Sequence, residues 1–333
     1  MLGLFGALGG AAVTSRAAAA VSSGTPNPHG DEHSDHSDGG AHAHGDAGVV
    51  GRVDHARNGF DPQQLLTEFD WGTVSRDAAG RTVREYRLVA TAKDIEVAPG
   101  VMFPAWVYNG RVPGPTIRAV EGDIMRVTLV NESEHQHSLH FHGFHVASMD
   151  GVPGALEAAP GTSVTYEFTA EPFGVHLYHC HSLPFRTHMA RGLYGAFIVD
   201  PKAGRPAANE MVMVLNGFDT DFDGENEVYA VNTVAFAYAD QPIRIRAGEL
   251  QRVYVVNLTE FDPINSIHTH ATFFYLYRTG TSLTPHELTD TISMCQGERH
   301  LLEFRYRDAG TYMFHAHQAE FADLGWTGMF EVS

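Results

Sequence analysis

Lysine is almost absent from this sequence, with Lys93 and Lys202 the only two. Arginine does not fill the gap: 22 Lys+Arg face 40 Asp+Glu, for a net charge of −18. A chain so poor in positive charge offers no surface to a phosphate backbone, which excludes nucleic acid as a partner. Cysteine is as scarce. Two thiols, Cys180 and Cys295, cannot staple a chain of 333 residues. No apolar run reaches the roughly 20 residues of a membrane-spanning helix. Helical periodicity is missing over any long stretch. Hydrophobic content is present at 43%, enough for packed cores. Histidine is in excess at 21 residues. At about 150 residues per domain, the length suggests two domains.

The first fifty residues hold two unusual stretches. Residues 1–23 are Ala/Gly-rich and end in small residues of A-x-A type, like the later part of an export signal without its charged start. The expectation is an exported protein (periplasmic, secreted or at the cell surface), with tethering by the N-terminus as a variant. Residues 29–46, HGDEHSDHSDGGAHAHGD, hold five histidines among acids, Ser and Gly. Such a tract is either a loose metal binder or a solvated linker. Residues 51–81 are read as an N-terminal arm.

From residue 82 the texture is all-β. TVREYRLVATA (82–92), DIMRVTLVNE (123–132) and SVTYEFTA (163–170) are short runs of β-formers cut by Gly and Pro turns. Short, evenly spaced strands imply sandwiches. The pattern then repeats. PTIRAVEGDIMRVTLVNESEHQHSLHFHGF (115–144) matches QPIRIRAGELQRVYVVNLTEFDPINSIHTHATF (241–273), and GTSVTYEFTAEPFGVHLYHCH (161–181) matches GERHLLEFRYRDAGTYMFHAH (297–317). Each unit closes on a Gly-aromatic strand, GLYGAFIVD (192–200) and GWTGMFEV (325–332). Two homologous β-sandwiches are therefore expected, at 82–203 and 204–333.

The repeat carries the chemistry. Side chains at i and i+2 of a strand share a face, so H-x-H sets two imidazoles side by side. The chain does this at His140/His142, His179/His181, His268/His270 and His315/His317. Four such pairs at matched positions point to metal, and imidazole suits Cu, Zn, Fe and Ni. Cys180 lies between His179 and His181 and faces the other way. With His137 and His188 it completes the His₂Cys set of a blue-copper electron-transfer site. The weak axial position falls at Leu193, which cannot ligate and should raise the reduction potential relative to Met; Met189 is misplaced for that role. The Cys180 backbone then links the blue site covalently to His179 and His181. Ala316 replaces the cysteine in the second unit, so only the first carries a blue site.

HSLHFHG (137–143) and HCHSLPFRTHMARGL (179–193) resemble the paired signatures of the multicopper oxidases, the family of laccases, ascorbate oxidase and ceruloplasmin. The long Cys-to-His spacing is closer to two-domain copper nitrite reductases and small laccases. The resemblance covers 82–333 and implies two tandem cupredoxin-like Greek-key β-sandwich domains. It implies type 1 copper at His137, Cys180 and His188 with Leu193 axial, type 2 copper at His140 and His268, and type 3 coppers at His142, His179, His181, His270, His315 and His317. That makes four coppers per chain. Asp150, in MDGVPG, sits where relatives have an acid that relays protons. The implied activity is one-electron oxidation of a small reducing substrate (a phenol, aromatic amine or metal ion) coupled to four-electron reduction of O₂ to water. Each domain supplies four of eight cluster imidazoles, so the two half-sites must face each other, and the resemblance implies that the first domain of one chain meets the second domain of the next. That contact is heterologous and closes as a ring, and two-domain relatives close as homotrimers. The alternatives are a copper nitrite reductase or a non-catalytic copper store. Nitrite reductases have an Asp where this chain has His140 and lack a His at position 181, which favours the oxidase.

Other features have narrower readings. DTDFDGENE (219–227) imitates a calcium loop, but Ala230 stands where its bidentate Glu belongs, so an acidic turn is expected. Cys295 reads as a free thiol in a turn. His135, His145 and His176 flank the motifs in supporting or surface roles. Glu320 is placed to orient His315 and His317 by hydrogen bonding.

Overall fold

A computed structural model describes residues 51–333. The export-like segment and the His-rich tract, at 1–50, lie outside the described residues. Strands make up 46% of the structure and helices 9%.

Alternation in the sequence becomes a half-buried sheet. Ser163–Thr169 buries Tyr166 and Phe168 on one face and exposes Ser163, Thr165, Glu167 and Thr169 on the other. It pairs antiparallel with Ile124–Asn131, which runs parallel to Thr82–Ala98. Val101–Tyr108 turns back on Thr82–Ala98, and Thr73–Arg76 forms the opposite edge. The arm at 51–81 is thus built into the fold: it supplies that edge strand, and the Leu66 carbonyl accepts a hydrogen bond from the Val212 amide at 2.8 Å. The facing sheet runs Ile117–Val120, Tyr194–Asp200, Gly174–His179, His140–Phe141. Leu88, Val127, Leu129, Phe141, Tyr178 and Phe197 fill the space between the two sheets.

The second unit repeats this plan. One sheet contains Asn209–Phe218, Gln251–Asn257, Arg299–Phe304 and Phe274–Arg278; the other contains Thr327–Val332, Gly310–His315, Ile264–Thr269 and Thr291–Cys295. Met213, Val255, Phe274, Leu302, Phe314 and Trp326 close its core.

A third core joins the two. Gly174–His179 is buried along its whole length, and so is nearly all of Tyr194–Asp200. One face of these strands packs inside the first sandwich. The other face sends Val175, Leu177, Ala196 and Ile198 against Val212, Val214, Tyr254, Val256 and Leu301 of the second unit. Burial on both faces is why these strands read as continuous apolar runs. Arg118 pins the rim of this junction, pairing with Asp200 at 2.9 Å in its own unit and with Glu210 at 2.7 Å in the other. The strand that ends at His179, one residue before Cys180, is therefore anchored from both sides.

The helices are short, and one matters. Phe185–Ala190, six residues long, turns the chain so that His188 and Met189 point inward.

Candidate metal centres

Register places the first histidine group. His140 lies directly across from His179 in an antiparallel pair, so their H-x-H motifs share one face. The ring centroids of His140 lie 5.1 Å from His142, 5.2 Å from His179 and 5.4 Å from His181. The Nε2 atoms of His142 and His179 approach to 2.9 Å. The second unit reproduces this. His268 pairs with His315, and its ring lies 5.0 Å from His270 and 5.4 Å from both His315 and His317. The Nε2 atoms of His270 and His315 are 3.1 Å apart.

The other ring nitrogens are already occupied. His179 Nδ1–H donates to the Cys180 carbonyl at 2.9 Å, and His315 Nδ1–H donates to the Ala316 carbonyl at 2.6 Å. His268 Nδ1 meets the Asp290 carbonyl at 3.0 Å. Each bond selects the tautomer that leaves Nε2 free as a ligand. His140 Nδ1 faces Asp150 twice, with the carbonyl at 2.8 Å and the carboxylate at 3.2 Å. Gly151 makes that approach possible: at φ +72 its Cα passes so close that a Cβ would collide with the Leu139 carbonyl. Glu320 forms no hydrogen bond with His315 or His317 among the described residues, contrary to the sequence expectation. It is exposed on Ala319–Asp323, and the Ala316 carbonyl holds His315 instead.

Behind the first group sits a sulfur-containing one. His137, Cys180 and His188 are all buried, at 0%, 0% and 2% exposure. Cys180 Sγ lies 3.1 Å from His188 Nδ1 and 3.7 Å from His137 Nδ1, and the two Nδ1 atoms are 3.2 Å apart. Leu193 is fully buried in the same core, and its carbonyl accepts the Cys180 amide at 2.9 Å. Met189 packs instead into the core between the units.

Electrostatics match a metal cage. Burial holds His137 and His179 at about 3, and His142 and His188 at about 4, so all four are neutral imidazoles near pH 7. Burial also pushes the Cys180 thiol up, so a thiolate there needs a cation beside it. The Ser138 amide already donates to Sγ at 3.3 Å. Three converging donors, one soft sulfur and two imidazoles, fit a copper-class ion.

Sequence reasoning missed several residues that build these groups. Ser138 Oγ accepts the His181 amide at 3.0 Å, so one residue touches both the thiol and the cluster ligand strand. Ser266 Oγ does the same for His317 at 2.7 Å; the shared Ser of HSLH and NSIH was the available signal. Phe185 stacks on His181 with centroids 4.4 Å apart. Trp106 packs edge-on against His137 at 5.5 Å and His188 at 4.9 Å, with exposed His135 on its other side at 4.5 Å. His145 stacks on Tyr166 behind His140, and His176 is buried against Phe144.

The second unit has no counterpart of the sulfur-containing group among the described residues. By offset from the cluster histidines, Asn265 stands at the position of His137 and Ala316 at that of Cys180. The Ala316 amide donates to the Trp326 carbonyl at 3.2 Å, as Cys180 does to Leu193. Trp326 is fully buried, and its indole N–H donates to Asn265 at 3.1 Å. An indole fills the space where the first unit gathers three ligands. The acidic run 219–227 is an inter-strand turn. Asp219, Asp221, Asp223 and Glu227 converge there, but Asp219 accepts amides of its own turn at 3.1 and 2.9 Å.

The depressed imidazole values fix a sign for pH dependence. Between the ordinary value of 6.5 and about 3, the unfolded chain binds protons that His137, His176 and His179 refuse when folded. Stability is therefore full above the unfolded value and is lost as pH falls through this window. The metal-free protein should show a melting temperature that drops steadily as pH is lowered from 6.5 to about 4. His176→Gln should flatten the slope, since that imidazole is no ligand candidate. A melting temperature independent of pH would contradict this.

Residues 90–204 and 206–333 each match a multicopper oxidase domain family. A multicopper oxidase of known crystal structure is 54% identical, with a TM-score of 0.83, covering 85% of this chain and 100% of that one. The copper nitrite reductase of Nitrosomonas europaea is 28% identical, with a TM-score of 0.69, over 75% of this chain and 94% of that one. The copper-containing nitrite reductase of Neisseria meningitidis serogroup A is 29% identical over 247 residues, 68% of this chain but only 63% of the relative's length. With two family domains in tandem and donor groups that suit copper, the chain belongs to the multicopper oxidase family, as a pair of cupredoxin-like domains related to the copper nitrite reductases.

Proposed function

We propose that the protein is a laccase-like oxidase that reduces O₂ to water, with four coppers per chain and a homotrimeric assembly. The observation that carries this reading is the eight-imidazole set. Nitrite reductases are expected to lack two of these rings, and here His140 and His181 stand 5.4 Å apart within the first group.

His137, Cys180 and His188 would hold a copper that would supply single-electron uptake, and the eight paired histidines would hold those that would supply four-electron reduction of O₂. The chain's own residues do the rest. Cys180 is bonded through its backbone to His179 and His181, so the route between centres is covalent. Ser138 bridges the same gap by hydrogen bonds. Asp150 fixes His140 and, half-exposed, is placed to pass protons from solvent.

Among the described residues, each group of converging donors is confined to one domain. This separation supports completing a cluster of eight imidazoles between subunits. Exposed apolar side chains flank both halves: Val146 and Leu183 at 63% and 70% exposure on the first, Ile264 and Phe273 at 48% and 61% on the second. Such patches mark an interface, and joining unlike patches head to tail closes a ring.

The test is turnover of copper-loaded protein with a phenolic donor in an oxygen electrode, with nitrite as competitor. Steady O₂ uptake at four electrons per O₂ supports the oxidase. Nitrite turnover in its place, or copper binding with neither reaction, contradicts it.

A further inference from the structure

We propose that Arg299 of the second domain is a positioning residue for the first domain's histidine group in the same chain, and that its charge raises the affinity of a copper held there for a small anion. The inference rests on copper at His142 and His179, not on which acceptor is reduced there.

The second domain touches the first domain's histidines through a turn. By the internal repeat, Arg299 stands where the first domain has Ser163, an exposed residue that opens its strand. In the second domain the matching strand, Arg299–Phe304, opens against the domain junction instead. Arg299 Nε donates to the Val175 carbonyl at 3.3 Å, and Nη1 donates to the Gly297 carbonyl at 3.4 Å. Val175 is tied a second time: its amide donates to the Thr279 carbonyl at 2.8 Å, and the Thr279 amide donates to the Arg299 carbonyl at 3.1 Å. The backbone of Gly297 lies against His142, so close that a Cβ there would sit 3.8 Å from the ring Cε1. One side chain thus braces both the turn that abuts His142 and the strand that ends at His179. Those are the two rings whose Nε2 atoms are 2.9 Å apart.

The charge is not spent on a partner. Arg299 is half-buried, and among the described residues its guanidinium meets carbonyls but no carboxylate. The carboxylates around the turn are engaged elsewhere. Glu298 accepts the Cys295 amide at 2.8 Å, Glu260 accepts the Gln296 side-chain amide, and Asp150 lies on His140 Nδ1 at 3.2 Å. At the His142 ring the Arg299 charge is felt more strongly than that of Asp150, and it also reaches His176. A fixed cation beside a metal adds to its attraction for an anion, and needs no reorganisation when negative charge arrives. Electrons delivered to the site bring such charge whichever acceptor is reduced.

The test is an azide titration of copper-loaded protein followed by absorption, with copper content measured for each variant. Arg299→Gln keeps a donor for the Val175 carbonyl but removes the charge, and should bind azide about tenfold more weakly than the wild type. Arg299→Lys keeps the charge and should bind within about threefold of the wild type. Glu298→Gln removes a neighbouring negative charge and should bind about threefold more tightly. Equal affinity in the wild type and Arg299→Gln, or no azide binding by the wild type, overturns the proposal. So does an Arg299→Lys protein as weak as Arg299→Gln, because shape rather than charge would then set the affinity. Should Arg299→Gln fail to hold copper, Glu298→Gln decides, and an affinity no higher than that of the wild type overturns the proposal. If the loaded protein turns over nitrite and not O₂, the oxidase reading fails while the azide comparison still decides the role of Arg299.

Discussion

Replacing Cys180 with Ser is expected to abolish the intense thiolate-to-copper absorption and reduce oxidase turnover to background. The thiol is completely buried, 3.1 Å from His188 Nδ1 and 3.7 Å from His137 Nδ1. A hydroxyl cannot supply the soft anionic ligand that this pair of imidazoles completes. The histidine cluster should still load, because His179 and His181 are held by the Cys180 carbonyl and by Ser138 Oγ, neither of which involves sulfur. Absorption spectroscopy with copper analysis separates the two effects. A Cys180→Ser protein that stays blue and active would remove the site assignment.

Subunit complementation should give the second large effect. His140→Ala/His142→Ala destroys the first-domain half of the cluster, and His315→Ala/His317→Ala destroys the second. Each variant alone should be inactive. After co-refolding at equal amounts, an interface works only when its first domain comes from one variant and its second domain from the other. Random mixing of a closed ring then restores about a quarter of the wild-type interfaces. The expected result is recovery toward that level, read as O₂ uptake. Mixtures that remain inactive, or an active monomer by light scattering, would refute a cluster shared between subunits.

Much of this was legible in the sequence because the candidate ligands obey strand periodicity. H-x-H fixes two rings on one face whatever the loops do, and a residue between them must face the opposite way, which is where Cys180 is found. The repeat made both domains visible. What stayed hidden depends on contacts that no local pattern encodes. Residues 51–81 read as an arm because Thr73–Arg76 is exposed at every position and earns its place only by pairing with Thr82–Ala98. The helix Phe185–Ala190 is too short to show periodicity, yet it aims His188 and stacks Phe185 on His181. Trp326 is legible only as part of the Gly-aromatic strand; that it meets Ala316 and bonds Asn265 appears only in the fold. Glu320 looked well spaced to support the cluster, but the chain turns into a helix after His317 and carries it outward.

Native mass spectrometry of the copper-loaded, catalytically active assembly tests the account most directly, because it reads subunit number and metal count together. Three chains holding four coppers each, with the clustered metal lost on dissociation to monomers, is the predicted result. A monomer that keeps its full copper complement and its activity, or an active trimer with two coppers per chain, would contradict it.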